Sequence, residues 1–368
     1  MKTENSTLTF FLGANTPSGF VSKFEQLVNP EAGLRTCILG GGPGCGKSTI
    51  IRRVAAAFEG EPGLELIACA SDVDSLDGVI IPTKKFCVVD GTRPHFLVPR
   101  HPGVVESVVE LSVCTDEDAL QSHREEIIRL GVDIARCHEY SCRYLAAAGA
   151  LLGDNYRLAL DCLDTHKLGA YLARLSAREL GKKSGRAGSE KARFLSAVTN
   201  RGVVQFAHSI GLLAERIYLI NDEHGALSRM MLHYLRAKAL EQGYDVVACY
   251  CPLAPFDKLE QLLIPGLSLG FVTSNRFHSF EPGPSTYRII NCQRFMEEGC
   301  LKQHKKRITF NRKASIQMVS QAQGLISEAN TLHGELESYY TAATDFAKVD
   351  GLTAALLDKL RGLYSRPS

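Results

Sequence analysis

An apolar run that feeds a glycine loop, which in turn feeds a helical pattern, constrains this chain more than any other feature. The stretch is Cys37-Ile38-Leu39-Gly40-Gly41-Gly42-Pro43-Gly44-Cys45-Gly46-Lys47-Ser48-Thr49. From Gly41 to Ser48 the spacing is G-x-x-x-x-G-K-S, the Walker A phosphate-loop pattern. Glycines let the backbone curl so that successive N–H groups point inward at phosphate oxygens, and the N-terminus of the following helix adds its positive dipole end. In that pattern Lys47 reaches the β- and γ-phosphates and the Ser48 hydroxyl sits on Mg²⁺. Gly41, Gly42, Pro43, Gly44, Cys45, Gly46, Lys47, Ser48 and Thr49 are therefore the expected nucleotide-binding residues. A glycine-rich turn that happens to precede a lysine is the alternative, and the strand, loop, helix order speaks against it.

The flanking text extends the same reading. Thr7 to Leu12 is β-prone, Asn15-Thr16-Pro17-Ser18-Gly19 supplies a turn, and a short helix is expected from Phe20. Ile50, Ile51, Val54, Ala55 and Phe58 fall at helical spacing after the loop, and Leu64 to Cys69 has the length of a buried strand. Ser71 to Gly78 follows as a loop with three carboxylates, Asp72, Asp74 and Asp77. Ligands bind beyond the carboxyl ends of strands in open α/β sheets, which gives Asp72 and Asp74 a catalytic or acceptor-holding reading; turn and N-cap chemistry accounts for them equally well. Lys85-Phe86-Cys87-Val88-Val89-Asp90 has the form of a Walker B strand, with Asp90 as the expected Mg²⁺ ligand. Arg93 follows it as a candidate stabiliser of transferring phosphoryl charge, and His95 as a candidate to orient a water or hydroxyl. Asp116 to about Leu180 reads as a helical hairpin packed beside the sheet, its apolar positions belonging to a core.

The second half echoes the first. Phe11 matches Phe194, Gly19 matches Gly202, Ile81-Pro82 matches Ile264-Pro265 and His95 matches His278, all 183 positions apart. His123 and His304, Asp164 and Asp345, and Lys167 and Lys348 match at 181. One duplicated unit fills the chain. Residues 1–183 form the expected active repeat and 184–368 its degenerate partner, joined through a glycine- and serine-rich linker at Gly181 to Glu190. At the second loop, Lys47 aligns with Ser228, Ser48 with Arg229 and Asp90 with Thr273, while Asp222 and Glu223 place negative charge where phosphates would sit. One nucleotide site per chain is expected.

Bulk properties exclude some alternatives. A formal net charge of +2 gives no global field for nucleic acid or anionic lipid, and the basic cluster Lys302 to Arg307 reads as a solvated helix face. No apolar run approaches the ~20 residues needed to span a bilayer, and Met1 to Ser6 is polar, so a cytoplasmic protein is expected. The twelve cysteines form no C-x-x-C unit and are expected as reduced thiols, with metal ligation the weaker alternative.

The chain resembles a family of bacterial tandem P-loop proteins generally labelled ATPases or ATP-binding proteins of unknown function. The matching text is Thr16-Pro17-x-Gly19-Phe20-Val21, Gly41 to Thr49, Ser71-Asp72-x-Asp74-Ser75-Leu76-Asp77-Gly78-Val79-Ile80-Ile81-Pro82, and Asp90-Gly91-Thr92-x-Pro94-His95. The resemblance implies two tandem three-layer α/β units of the P-loop NTPase type, each with a helical hairpin extension, and ATP with Mg²⁺ as ligands. In that family the second repeat often also carries a P-loop and an aspartate-rich loop; this chain departs there. Expected activities are ATP hydrolysis, phosphoryl transfer to a small molecule or nucleotide, or ATP-dependent binding of an unknown partner without turnover.

Overall fold

A computed structural model describes residues 7–95, 97–181, 186–297 and 299–362. The N-terminal repeat runs β1 (Leu8–Phe10), a hairpin of β2 (Gly13–Thr16) and β3 (Gly19–Ser22), then β4 (Arg35–Gly40), α1 (Lys47–Ala57), β5 (Glu65–Ala68), β6 (Leu76–Ile81), β7 (Phe86–Asp90), β8 (Glu106–Glu110), α2 (Glu117–Gln121), α3 (Arg124–Asp161) and α4 (Thr165–Glu179). The C-terminal repeat runs β9 (Glu190–Arg193), the hairpin β10 (Ser196–Thr199) and β11 (Gly202–Gln205), α5 (His208–Leu213), β12 (Arg216–Asn221), α6 (Ala226–Glu241), β13 (Val246–Cys251), β14 (Ala254–Ile264), β15 (Leu269–Ser274), β16 (Thr286–Asn291), α7 (Cys300–Gln303), α8 (Lys305–Ala342) and α9 (Phe346–Gly362).

Each repeat builds a mixed six-stranded sheet, ordered β1-β5-β6-β7-β4-β8 in the first and β9-β13-β14-β15-β12-β16 in the second. These orders are the same order under the duplication. β4 lies parallel to β7 and β8, whereas β5, β6 and β7 run antiparallel. The core of the first unit follows from the sequence pattern. Cys37 and Leu39 point from β4 towards Ile50, Ile51 and Val54 of α1, and Ile38 points to the opposite face against Phe24, Ile80 and Val89.

Two local expectations fail. Phe20 and Val21 continue as strand β3 rather than a helix, because Gly19 at φ 95° closes a tight hairpin. β6 was not anticipated: its apolar part, Gly78 to Ile81, is short and preceded by aspartates, yet it lies buried between β5 and β7. The aspartate loop thus joins two antiparallel strands.

The helical extensions cross over between repeats. α3 and α8 each have 38 residues, about 57 Å of helix, and they pair antiparallel, with Asn155 Nδ2 donating to the Ile308 carbonyl at 3.4 Å and Asn311 Nδ2 to Asn155 Oδ1 at 3.0 Å. α4 then buries Leu168, Leu172 and Leu175 against Leu227, Met231 and Leu235 of the C-terminal repeat. Reciprocally, α9 buries Val349, Leu356 and Leu360 against α1. The hairpin is therefore not packed beside its own sheet; periodicity shows which face of α4 is buried, not which repeat covers it. Arg307 of the basic cluster is used within this pairing, bonding Asp154 of α3 at 2.7 Å.

Paired contacts map onto themselves when the repeats are exchanged. Phe11 and Phe194, equivalent positions, exchange two backbone hydrogen bonds of 2.9 Å. Leu163 bridges Met296 and, 181 positions on, Thr344 bridges Thr115. That crossing also forms a disulfide between Cys162 and Cys300, with Cα atoms 5.6 Å apart, which corrects the expectation that all cysteines are free thiols. The partners lie 138 residues apart, and only the exchange of helices brings them together.

Of the expected linker, residues 182–185 and with them the boundary at 183/184 lie outside the described residues. Its second half is docked rather than solvated: the Gly188 N–H donates to Leu240, and the Ser189 N–H and hydroxyl both donate to Asp245 Oδ1 at 2.8 Å. No described helix is long and apolar enough to cross a membrane.

Candidate phosphate-binding loop and its degenerate counterpart

The loop from Gly41 to Gly46 leaves the carboxyl end of β4 and enters α1. Gly41, Gly44 and Gly46 hold φ values of 131°, 70° and 90°, which side chains with a Cβ adopt only under strain. The N-cap residue of α1 is Gly46, which has no side chain to occupy the first N–H groups at the loop. Lys47, 7% exposed, folds back and donates to the carbonyls of Gly41 at 3.0 Å and Gly42 at 2.6 Å, with Asp90 Oδ2 3.9 Å away. Asp90 ends β7 beside β4, and its Oδ1 accepts from the Thr92 N–H and hydroxyl. Ser48 Oγ accepts from the Leu76 N–H at 3.2 Å. Cys45 is buried beneath the loop near Thr115 and Thr344, and Thr49 is exposed.

Other expected site residues do not converge on Lys47. Asp72 accepts from the Asp74 N–H in a local turn, and Asp74 forms an exposed ion pair with Arg201 of the other repeat. Arg93 is exposed and has no ion-pair partner among the described residues. Asp77 and His95 are buried together, with His95 Nε2 2.8 Å from Asp77 Oδ2. Burial disfavours charge on that imidazole, but the Asp77 carboxylate and its hydrogen bond outweigh burial and hold the His95 pKa above its ordinary value.

Sequence reasoning missed the groups that cover the loop. The last turns of α8, from the C-terminal repeat, lie over it. A Cβ on Gly42 would run into the Tyr340 ring, one on Gly44 would come within 2.7 Å of the Glu337 carbonyl, and Thr341 Oγ1 donates to the Gly44 carbonyl at 3.4 Å. Hydrogen bonding to His333 holds the Glu337 carboxyl below its ordinary range, and the Gly44 N–H and the Lys47 charge act in the same direction. A half-exposed anion from α8 therefore stands at the mouth of the loop. Glu110, at the end of β8, was also missed; a Cβ on Gly40 would strike its carboxylate.

The C-terminal counterpart solves the same electrostatic problem internally. There α6 begins two residues earlier relative to its buried pattern, since Met231, Leu232 and Leu235 sit where Ile50, Ile51 and Val54 do. Asp222, 1% exposed, turns its carboxylate into the shortened loop: Oδ1 accepts from Gly225 at 3.0 Å and His224 at 3.3 Å, and Oδ2 accepts from Ser228 at 2.7 Å. The Lys47–Asp90 pair is replaced by Ser228 and Thr273, whose buried hydroxyls have no hydrogen-bond partner among the described residues. Arg229 stacks on Tyr156 of α3, with 4.3 Å from the guanidinium carbon to the ring centre, and pairs with Asp257. A cavity of about 60 Å³ there is lined by Arg229, Lys258, His224 and Asn275 among others.

Comparison with known proteins returns no matching family model, curated protein or solved structure.

Proposed function

We propose that the N-terminal repeat binds one ATP with Mg²⁺ and hydrolyses it, and that the C-terminal repeat is a structural partner without a triphosphate site. One contrast carries this reading: the C-terminal loop fills its inward N–H donors with the Asp222 carboxylate, whereas the N-terminal repeat has Gly41 at that position and, among the described residues, supplies no anion of its own inside the loop. A helix N-terminus with positive-φ glycines and a buried lysine fits phosphate oxygens. Lys47 and the loop N–H groups would hold the phosphates, and Ser48 and Asp90 the Mg²⁺, which neutralises phosphate charge when bound.

Hydrolysis is favoured over transfer to an acceptor, because Asp72 and Asp74 are engaged in a turn and an inter-repeat ion pair instead of facing Lys47. Nucleotide entry has a mechanical consequence, since Glu337 and Tyr340 occupy the loop's approach. ATP binding would shift the end of α8, which links the site to the paired long helices and to any partner they hold. The reading places the protein in the cytoplasm, where ATP is available.

Equilibrium dialysis with ATP-Mg²⁺ tests it. One nucleotide per chain, abolished by Lys47→Ala and unaffected by Arg229→Ala, is the expected result. Two nucleotides per chain, or undiminished binding in Lys47→Ala, would overturn it.

A further inference from the structure

A second cluster of reactive side chains recurs in both repeats and plays no part in the phosphate-loop reading. Cys69 Sγ, an Asp77 carboxylate oxygen and a His95 ring nitrogen all lie within 4.8 Å of one another. Cys251, Glu260 and His278 do the same in the C-terminal repeat, 182 or 183 positions on. The backbone explains the convergence. Cys69 follows β5, a register shift between Ile67 and Ala68 gives Asp77 an extra position at the start of β6, and His95 comes from the loop after β7.

These groups are buried together with part of their hydrogen-bonding capacity unused, although His95 Nε2 meets Asp77 at 2.8 Å. His95 is 4% exposed and its Nδ1 has no hydrogen-bond partner among the described residues; the Phe20 and Phe24 rings flank it, with centroids at 5.1 and 4.7 Å. His278 is 2% exposed, with neither ring nitrogen hydrogen-bonded and Nδ1 3.3 Å from Glu260 Oε1. Buried polar atoms without partners are costly unless some ligand satisfies them.

The repeats differ at one place that decides what each cluster needs. In the C-terminal repeat Lys258, at the position of Ser75, forms an ion pair with Glu260, and Asn275 Nδ2 donates to the other carboxylate oxygen at 3.2 Å. A cation is already supplied there by the chain. In the N-terminal repeat Ser75 carries no charge, and Cys69 is partly exposed whereas Cys251 is buried.

We propose that Cys69, Asp77 and His95 bind a zinc-like divalent cation, with a fourth coordination position open, and that Lys258 replaces that cation in the C-terminal repeat. One thiolate, one imidazole and one carboxylate suit zinc, whose three-ligand sites keep an open position. Tetrahedral bond lengths imply ligand separations of about 3.5 Å, which fall between the 2.8 Å of His95 Nε2 from Asp77 Oδ2 and the 4.8 Å limit of the cluster. The site stands independently of nucleotide binding.

Cobalt titration of the full-length, chelator-treated protein reads this directly. Wild type is expected to take up one equivalent and develop a thiolate-to-cobalt charge-transfer band, displaced by one equivalent of zinc. Cys69→Ser should lose the band, and Cys251→Ser should keep it. Ser75→Lys, which imports the C-terminal ammonium, should lose binding while retaining the wild-type circular dichroism, so that loss cannot be ascribed to misfolding. No band in wild type, a band that survives Cys69→Ser, or full uptake by a folded Ser75→Lys would each overturn the proposal.

Discussion

Removing the Glu65 carboxylate strands a guanidinium at the seam between the repeats. Arg193 and Glu65 face each other with side chains 4% and 5% exposed; Arg193 Nε donates to one carboxylate oxygen and Nη2 to the other at 3.2 Å. Beside them, Phe11 and Phe194 join the edge strands β1 and β9. Breaking a buried pair by deleting one partner costs about 3 to 5 kcal/mol, because the survivor stays buried without its counter-charge. For cooperative units of 150 to 250 residues that corresponds to a fall of about 6 to 20 °C in melting temperature. Glu65→Gln should therefore lower both the denaturant midpoint and the melting temperature, followed by circular dichroism. The double variant Glu65→Met with Arg193→Met removes both charges and should recover most of the loss, since two apolar side chains need no compensation. A single variant within 1 kcal/mol of wild type, or a double variant as unstable as the single, would refute the assignment of this pair as the electrostatic weld between repeats.

Glu337→Gln removes the anion at the mouth of the loop and should tighten nucleotide binding about two- to fivefold, the range expected for one charge near a helix N-terminus; isothermal titration showing equal or weaker affinity would argue that the carboxylate does not compete with phosphate. Glu179 is buried, and burial raises its pKa, but hydrogen bonds from Tyr218 at 2.6 Å and Arg178 at 2.8 Å, with the Arg216 charge, outweigh that and leave it below the ordinary range. Its stabilisation is thus present above the unfolded-state pKa and lost as pH falls through the folded one. Glu179→Gln should be less stable than wild type at pH 7 and nearly equal at pH 3; a gap that persists in acid would contradict this. Reducing the Cys162–Cys300 bond releases a loop of 138 residues, for which chain entropy sets a ceiling of about 5 kcal/mol. Urea melts with and without reductant should differ in wild type and coincide in Cys162→Ser with Cys300→Ser.

What the sequence made legible were features encoded within a few neighbouring residues. The β4, loop and α1 succession was readable because apolar alternation, glycines and helical spacing are local signals, and β7 with its terminal Asp90 was readable for the same reason. The duplication was readable from matched punctuation: Asp164 and Asp345, recognised as equivalent, both cap helices by accepting from the backbone N–H of Lys167 and Lys348. The exchange of α4 and α9 was not legible. Leu168, Leu172 and Leu175 mark a buried face whether the helix covers its own sheet or its neighbour's. Everything that depends on that exchange was lost with it, including the disulfide and the cover of Glu337 and Tyr340. The Cys69, Asp77 and His95 cluster was half visible, since His95 and His278 were already matched; noticing that Cys69 and Cys251, and Asp77 and Glu260, recur at nearly the same separation would have found the rest.

The exchange also gives the C-terminal repeat a structural part of its own. Three differences between the loops fit one another: Ser228 and Thr273 stand where the N-terminal repeat has the Lys47–Asp90 pair, and Asp222, at the position of Gly41, satisfies the inward N–H groups. The Asp222 carboxylate holds the loop at the start of α6, and α6 is the surface on which α4 docks. α4 and α9 tie α3 and α8 to opposite repeats, and the docking of α9 on α1 holds the end of α8, a helix of the C-terminal repeat, above Gly42 and Gly44. At the equivalent position α3 presents Tyr156 to Arg229, a stacked contact with no exchangeable anion. On the proposed reading, a nucleotide would meet only the α8 end of the helix pair. The response would then pass from the end of α8 to α9, the helix that follows it onto α1, while the Arg193–Glu65 pair holds the repeats together at the opposite edge strands.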